Sequence, residues 1–186
     1  MKHNLVRQTI IETASRLFYE KGYNLTGINE IIKEAGIAKA TLYNHFRSKE
    51  EICIAYLQYK DQLFFEQLKP FIATYTPGKN QLVALFDFLA AFYNQNDFNG
   101  CWCLNTISEI PKENKEIRVV IQNGKETLIN YIEGLLAGIP ELTEADQKVY
   151  AKQIYVLYEG GLSESHLHQE IWPIETARGL CEKLIA

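Results

Sequence analysis

Apolar residues recur at intervals of three and four along nearly the whole chain, as in Ile10, Ala14, Leu17 and Phe18, or Ile117, Val120, Ile121, Leu128, Ile132 and Leu135. That spacing is the period of an amphipathic α-helix, and no long run alternates every second residue as a half-buried strand does. The chain therefore reads as all-α. Breakers interrupt the pattern at Gly22, Gly36, Pro77-Gly78, the polar stretch from Asn94 to Gly100, Pro111, Gly138-Ile139-Pro140 and Trp172-Pro173. Between them the pattern predicts about nine helices, near residues 4–21, 26–34, 38–45, 48–73, 79–95, 101–109, 112–137, 143–167 and 173–185.

The second and third of these helices have about two turns each, and helices of that size are marginal in water unless they pack on a neighbour. A compact three-helix head is expected over residues 1–47, joined directly to a helical body over residues 48–186. Thr26 is placed to cap the second helix. Ser48 with Glu51 forms a Ser-x-x-Glu box that starts the fourth.

Composition narrows the class. With 186 residues, of which 47% are hydrophobic and 23% charged, the chain can bury a good core, which excludes a disordered chain or a disulfide scaffold. Its 19 basic and 23 acidic residues give a net −4, a poor match for a protein that simply coats nucleic acid or anionic membrane. The average conceals an asymmetry. Residues 1–49 hold eight basic and four acidic residues, a net +4, so the remaining eleven basic and nineteen acidic residues carry −8. Charge drift along a globular chain produces such a split, and so does a small N-terminal unit that meets a polyanion.

No apolar signal core follows the first residues, and the most apolar stretch, Leu82 to Tyr93, is broken by Asp87 and falls short of the roughly 20 residues that span a bilayer. The expectation is a soluble cytoplasmic protein without a membrane partner. Cys53, Cys101, Cys103 and Cys181 are scattered, which favours free thiols. His166 and His168, with Glu164 and Glu170, are wrongly spaced along a helix for a metal cluster, so neither metal nor cofactor is expected.

The run Ile28-Asn29-Glu30-Ile31-Ile32-Lys33-Glu34-Ala35-Gly36-Ile37-Ala38-Lys39-Ala40-Thr41-Leu42-Tyr43 has a helix-turn-helix layout. Ala35 is small where the helices cross, Gly36 permits the turn, and Ile37 and Leu42 are apolar anchors. Lys39, Thr41, Tyr43, Asn44 and His45 then place donors on and beyond the exposed face of the second helix. Such a face suits a DNA major groove, with cations and hydroxyls on phosphates and the helix start near base edges. Taken alone, any helical hairpin with a glycine turn imitates this layout.

The wider stretch is more specific. Phe18-Tyr19-Glu20-Lys21-Gly22-Tyr23-Asn24-Leu25-Thr26-Gly27-Ile28, then Ile31, Ala35-Gly36-Ile37, Thr41-Leu42-Tyr43-Asn44-His45-Phe46 and Ser48-Lys49-Glu50-Glu51-Ile52 closely resemble the DNA-binding head of the TetR family of bacterial transcriptional regulators over about residues 5–55. The resemblance implies a three-helix DNA-binding domain, a variable helical body that binds a small ligand, and a homodimer on a palindromic operator. Repression relieved by ligand is the usual outcome. It also implies DNA contacts from Thr26, Gly27, Thr41, Tyr43, His45 and Lys49, with base readout around Lys39, Ala40 and Asn44. Thr26 serves equally as a cap, Tyr43 as a packing residue and His45 as a helix end. Position 38 is often serine in the family, and Ala38 cannot cap the recognition helix as serine would.

The body carries the aromatics Phe64, Phe65, Phe86, Phe88, Phe92, Tyr93, Trp102, Tyr155 and Tyr158, which supply either pocket walls or ordinary core. Cys101, Asn105 and Glu109 recur every four residues as a polar stripe beside Trp102. The stripe either cross-links helices or faces a ligand, and its spacing looks like a segment of TetR-like regulators of which some sense through cysteine. Candidate sensing residues are Cys101, Trp102, Asn105, Glu109, Phe64, Phe92, Tyr155 and Tyr158. A thiol near a helix start is a candidate for modification by oxidants or electrophiles.

The last two long helices are expected to build the dimer, with Val149, Ile154, Tyr155, Leu157, Tyr158 and Leu162 as one broad apolar surface and Gly160-Gly161 allowing close approach. Nothing in the sequence suggests catalysis, since no phosphate loop follows a strand and no triad is visible. The competing functions are a DNA-binding activator or architectural protein without a ligand, and a helical carrier or enzyme with a structural hairpin.

Overall fold

The computed structural model describes residues 2–185, with side chains from Asn4 onward; Met1 and Ala186, the outer bounds of the expected domains, lie outside the described residues. Among the described residues there are nine helices and no strand: α1 Lys2–Lys21, α2 Ile28–Glu34, α3 Lys39–His45, α4 Lys49–Ala73, α5 Lys79–Tyr93, α6 Trp102–Glu109, α7 Lys115–Leu136, α8 Glu144–His168 and α9 Trp172–Leu184. Every helix expected from the periodicity is present. Most boundaries shift by a residue or two, and two of the shifts have a clear local reason. The seventh helix starts at Lys115 because the Asn114 side chain caps it, Oδ1 accepting from Ile117 N–H at 3.0 Å, while residues 112–114 turn after Pro111. The sixth starts at Trp102, which leaves Cys101 just outside the helix.

The chain packs as two units. One comprises residues up to Leu63 together with Trp102–Gly124, the other Phe64–Cys101 together with Lys125 onward. In the first, α1 lays Ile10, Ile11, Ala14, Leu17 and Phe18 against Ile31 of α2, Leu42 of α3 and Ile52 and Tyr56 of α4, all buried. Phe18 meets Tyr56 edge-on at 5.5 Å between ring centroids. Gly36 has φ +65°, a left-handed conformation that a side chain strains, and it turns the chain between α2 and α3 so that Leu42 reaches the core.

In the second unit α8 packs along α9, and α5 lies against both. Leu82, Leu85, Phe86 and Leu89 of α5 share its interior with Ile154, Tyr158 and Leu162 of α8 and Ile174 and Cys181 of α9. Gly161 is where α8 and α9 come closest, since a methyl there would sit 3.3 Å from the Ala177 Cβ. The expected single apolar surface on α8 is thus a correction. Ile154, Tyr158 and Leu162 face the interior of their own chain, whereas Val149 is 53% and Val156 65% exposed on the outer side. Periodicity reports that α8 is apolar on two sides; packing decides which side is already used.

Candidate nucleic-acid interface and sensor residues

The head presents α3 outward. Because Leu42 and Phe46 point into the core, Lys39, Ala40, Tyr43 and Asn44 stand exposed, with Thr41 and His45 half-buried beside them. The helix is preceded by Ala38, which is extended and provides no side-chain cap. Gly27, exposed, occupies the cap position of α2.

The charges of the head are sorted. Arg16 bridges Glu20 at 3.4 Å and Glu34 at 3.0 Å, and Lys21 bridges Glu30 at 2.5 Å. Exposed pairs of this kind contribute little stability. Their effect is on the field: three of the head's four carboxylates are paired with Arg16 and Lys21. Among the described residues neither Lys39 nor Arg47 has an ion-pair partner. Lys49 is half-buried, its Nζ 4.3 Å from the centre of the Tyr23 ring and 3.5 Å from the Asn24 carbonyl oxygen. Burial pulls its pKa below the ordinary lysine value, opposed by the Glu109 carboxylate.

Thr26 is a correction. Its side chain is fully buried and its hydroxyl is directed at two carbonyl oxygens, Gly22 at 2.8 Å and Leu17 at 3.2 Å. It therefore neither caps α2 nor offers its hydroxyl to a phosphate. A buried hydroxyl must bond to something, and the carbonyl oxygens in and just beyond the last turn of α1 are its acceptors. The box at the start of α4 is also altered. Ser48 Oγ accepts from Glu51 N–H at 3.1 Å as expected, but the Glu51 carboxylate accepts from Arg47 N–H, at 2.6 Å.

The residues expected to sense a ligand fall into separate groups. In the first unit, Trp102 donates its indole N–H to Asp61 at 3.3 Å, and Lys60 Nζ lies 5.2 Å from the ring centre. Asn105 is half-buried. Glu109 is taken by the head: its carboxylate accepts the Asn24 N–H at 2.6 Å, and its backbone carbonyl accepts from Asn24 Nδ2 at 2.9 Å. At its far end the stripe therefore cross-links within the chain, the first of its two expected roles, because the carboxylate is already bonded to backbone.

In the second unit, Cys101 is buried with the Lys125 ammonium 3.2 Å from its sulfur, and the same ammonium pairs with Glu159 at 2.6 Å. Tyr158 is buried against Phe86, with ring centroids 6.0 Å apart, and burial above all, then the Glu159 charge, pushes its phenol well above the ordinary range. Tyr155 is half-buried. Phe64 packs edge-on to Phe65 and Phe88, and Phe92 to Phe98. The partners Lys125 and Glu159 carry no local motif and escape sequence reasoning, since their proximity to Cys101 depends on how the helices pack. Cys53 and Cys181 are held protonated by burial, their thiols pushed up to about 12.

Residues 10–56 match the model of bacterial regulatory proteins of the tetR family. The match covers the head and the start of α4, about a quarter of the chain. Over nearly its whole length it has the TetR-family fold: the TetR-family regulator SCO4454 of Streptomyces coelicolor superposes with a TM-score of 0.87 at 24% identity, covering 97% of this chain and 88% of that one. The reduced form of NemR from Escherichia coli superposes with a TM-score of 0.86 at 20% identity, covering 97% and 98%. By sequence, NemR of strain K12, a transcriptional repressor, is 22% identical over 97% of this chain and 94% of its own. The fatty acid metabolism regulator protein of Bacillus subtilis is 28% identical over 68% of this chain, a match that spans 64% of that protein.

The chain is thus similar to bacterial transcriptional regulators in its head and in its fold. Such regulators are typically dimers. No helix among the described residues is long and apolar enough to cross a membrane.

Proposed function

We propose that this protein is a TetR-family repressor that binds a palindromic operator as a homodimer and is released when a small ligand or an electrophile acts on its body. The observation that carries the first part is the exposed α3 face, with Lys39, Ala40, Tyr43 and Asn44 outward, Thr41 and His45 at its edge, and Gly27 and Lys49 on neighbouring elements. Phosphates are met by the hydroxyls and ammonium groups, and bases by the helix start. Functionally the head is residues 1–47 and the body residues 48–186. The protein works in the cytoplasm and catalyses nothing.

The dimer forms through the outer sides of α8 and α9. Val156, Leu157, Leu180 and Leu184, with Lys152 and Gln153, line an open apolar groove of about 510 Å³. Val156 and Leu180, at 65% and 46% exposed, are large apolar groups that a second copy would cover. Gly160, where an added methyl group would meet nothing within 4 Å, lies on this open side.

The sensor centre is Cys101 with Lys125, Glu159 and the nearby phenol of Tyr158. An electrophilic alkene adds to the sulfur: the S–C bond forms at the β-carbon, the alkene π-bond breaks, and the thiol proton ends on the α-carbon. The Lys125 ammonium stands where it stabilises charge on the sulfur during that attack. Repression is supported by the repressor among the relatives.

The test is operator binding followed by fluorescence anisotropy while N-ethylmaleimide is titrated into wild type and Cys101→Ser. Wild type is expected to release DNA with one label on Cys101, and Cys101→Ser to stay bound. Cys53 and Cys181, with thiols near 12, remain protonated at pH 7 to 8 and are expected to stay unlabelled in the folded protein. Equal release by both proteins, or by neither, contradicts the cysteine as sensor.

A further inference from the structure

Glu109 is the last residue of α6. A carboxylate there faces the negative end of the helix, so the position is unfavourable unless a donor compensates. The donor is Asn24, in the loop between α1 and α2, 85 residues away in sequence. Its backbone N–H is 2.6 Å from the Glu109 carboxylate. Its side-chain amide reaches the Glu109 carbonyl at 2.9 Å, satisfying an oxygen that the end of α6 leaves without a helical partner. The loop is shaped for this approach: Gly22 has φ +90°, and a side chain at that position would overlap the Glu109 carboxylate. On its other side Asn24 offers its own carbonyl to Lys49 at 3.5 Å, while the Tyr23 ring lies under the same ammonium.

We propose that Glu109 is a positioning residue for DNA binding: it clamps Asn24, and through Asn24 holds the Lys49 ammonium in the place where it meets a phosphate. This rests on the reading of Lys49 as a phosphate contact. Simple electrostatics predicts the opposite sign, because removing a carboxylate from beside a DNA-facing loop ought to tighten binding to a polyanion. The clamp and the charge are therefore separable by experiment.

The experiment measures affinity and salt dependence for a duplex selected from a random DNA pool, using wild type, Glu109→Ala, Glu109→Gln, Asn24→Ala, Lys49→Ala and the double variant Glu109→Ala with Lys49→Ala. Glu109→Ala is expected to weaken binding roughly tenfold, the scale of a lost hydrogen bond to a charged group. Its plot of log affinity against log salt should be shallower by about one phosphate contact. Glu109→Gln keeps an oxygen for the Asn24 N–H and is expected to restore binding. Asn24→Ala, a change in an exposed loop that leaves the core untouched, should weaken it severalfold. In the Lys49→Ala background, Glu109→Ala should cost nothing further.

If Glu109→Ala binds as tightly as wild type or more tightly, or if Glu109→Gln is as weak as Glu109→Ala, the clamp is overturned while DNA binding stands. If Lys49→Ala leaves affinity and salt slope unchanged, the reading of Lys49 fails and the clamp fails with it. If wild type selects no duplex, DNA binding fails first.

Discussion

Replacing Tyr43 and Lys49 together by alanine is expected to lower operator affinity a hundredfold or more while the protein stays folded. Tyr43 is 43% exposed on the outer side of α3, so its hydroxyl has no part in the core. Lys49 lies at the start of α4, beside the loop that precedes α2. Each hydrogen bond to a charged group is worth about 1.5–3 kcal/mol, so two lost phosphate contacts correspond to about 3 kcal/mol or more. The salt dependence should fall by about two contacts in the same titration. Thermal unfolding is the control: the interaction of Lys49 with the Tyr23 ring is worth about 1 kcal/mol, so the melting temperature should drop by only a few degrees. Affinity that survives the double substitution would move the DNA-binding face away from α3 and α4.

The second large effect concerns assembly. Val156→Glu places a carboxylate in the apolar groove on the outer side of α8, and in a two-fold dimer it does so twice. The expected result is a monomer by analytical ultracentrifugation at micromolar concentration. Operator affinity should fall about a thousandfold, because each head then binds its half-site alone and loses the effective concentration that the second head gains in the dimer. Val156 is exposed in the single chain, so the monomer should remain helical by circular dichroism. A variant that remains dimeric and bound would place the dimer contact elsewhere.

Legibility in the sequence follows the range of the interactions. The nine helices are readable because periodicity and breakers are local, and the head is readable because the turn at Gly36 and the buried Leu42 fix which residues of α3 face outward. Contacts over long separations are not. Thr26 looks like a helix cap in any local reading, and only the fold shows its hydroxyl turned back to Leu17 and Gly22. Glu109 belongs by spacing to the stripe with Cys101 and Asn105, yet its partner is Asn24. Lys125 and Glu159 are ordinary charged helix residues until packing brings them to the Cys101 sulfur. The Asn114 cap, by contrast, is a local signal, an asparagine three residues before Ile117, but the stronger breaker Pro111 draws the expected boundary toward itself.

The opposite charges of the two parts of the chain also acquire a cause. The head's carboxylates Glu20, Glu30 and Glu34 are paired with Arg16 and Lys21, while Lys39 and Arg47 have no ion-pair partner among the described residues. The net −8 of the remainder disfavours contact between the body and the phosphates. A net charge of −4 for the whole chain is thus compatible with a protein that grips DNA through one end.

Selection of duplexes from a random DNA pool by the purified wild-type protein tests the central claim most directly. The expected product is an inverted repeat whose half-sites lie one helical turn or a multiple apart, bound by two chains, with an affinity that falls steeply as salt rises. A pool that yields no enriched sequence, or a single unrepeated site bound by one chain, would contradict it.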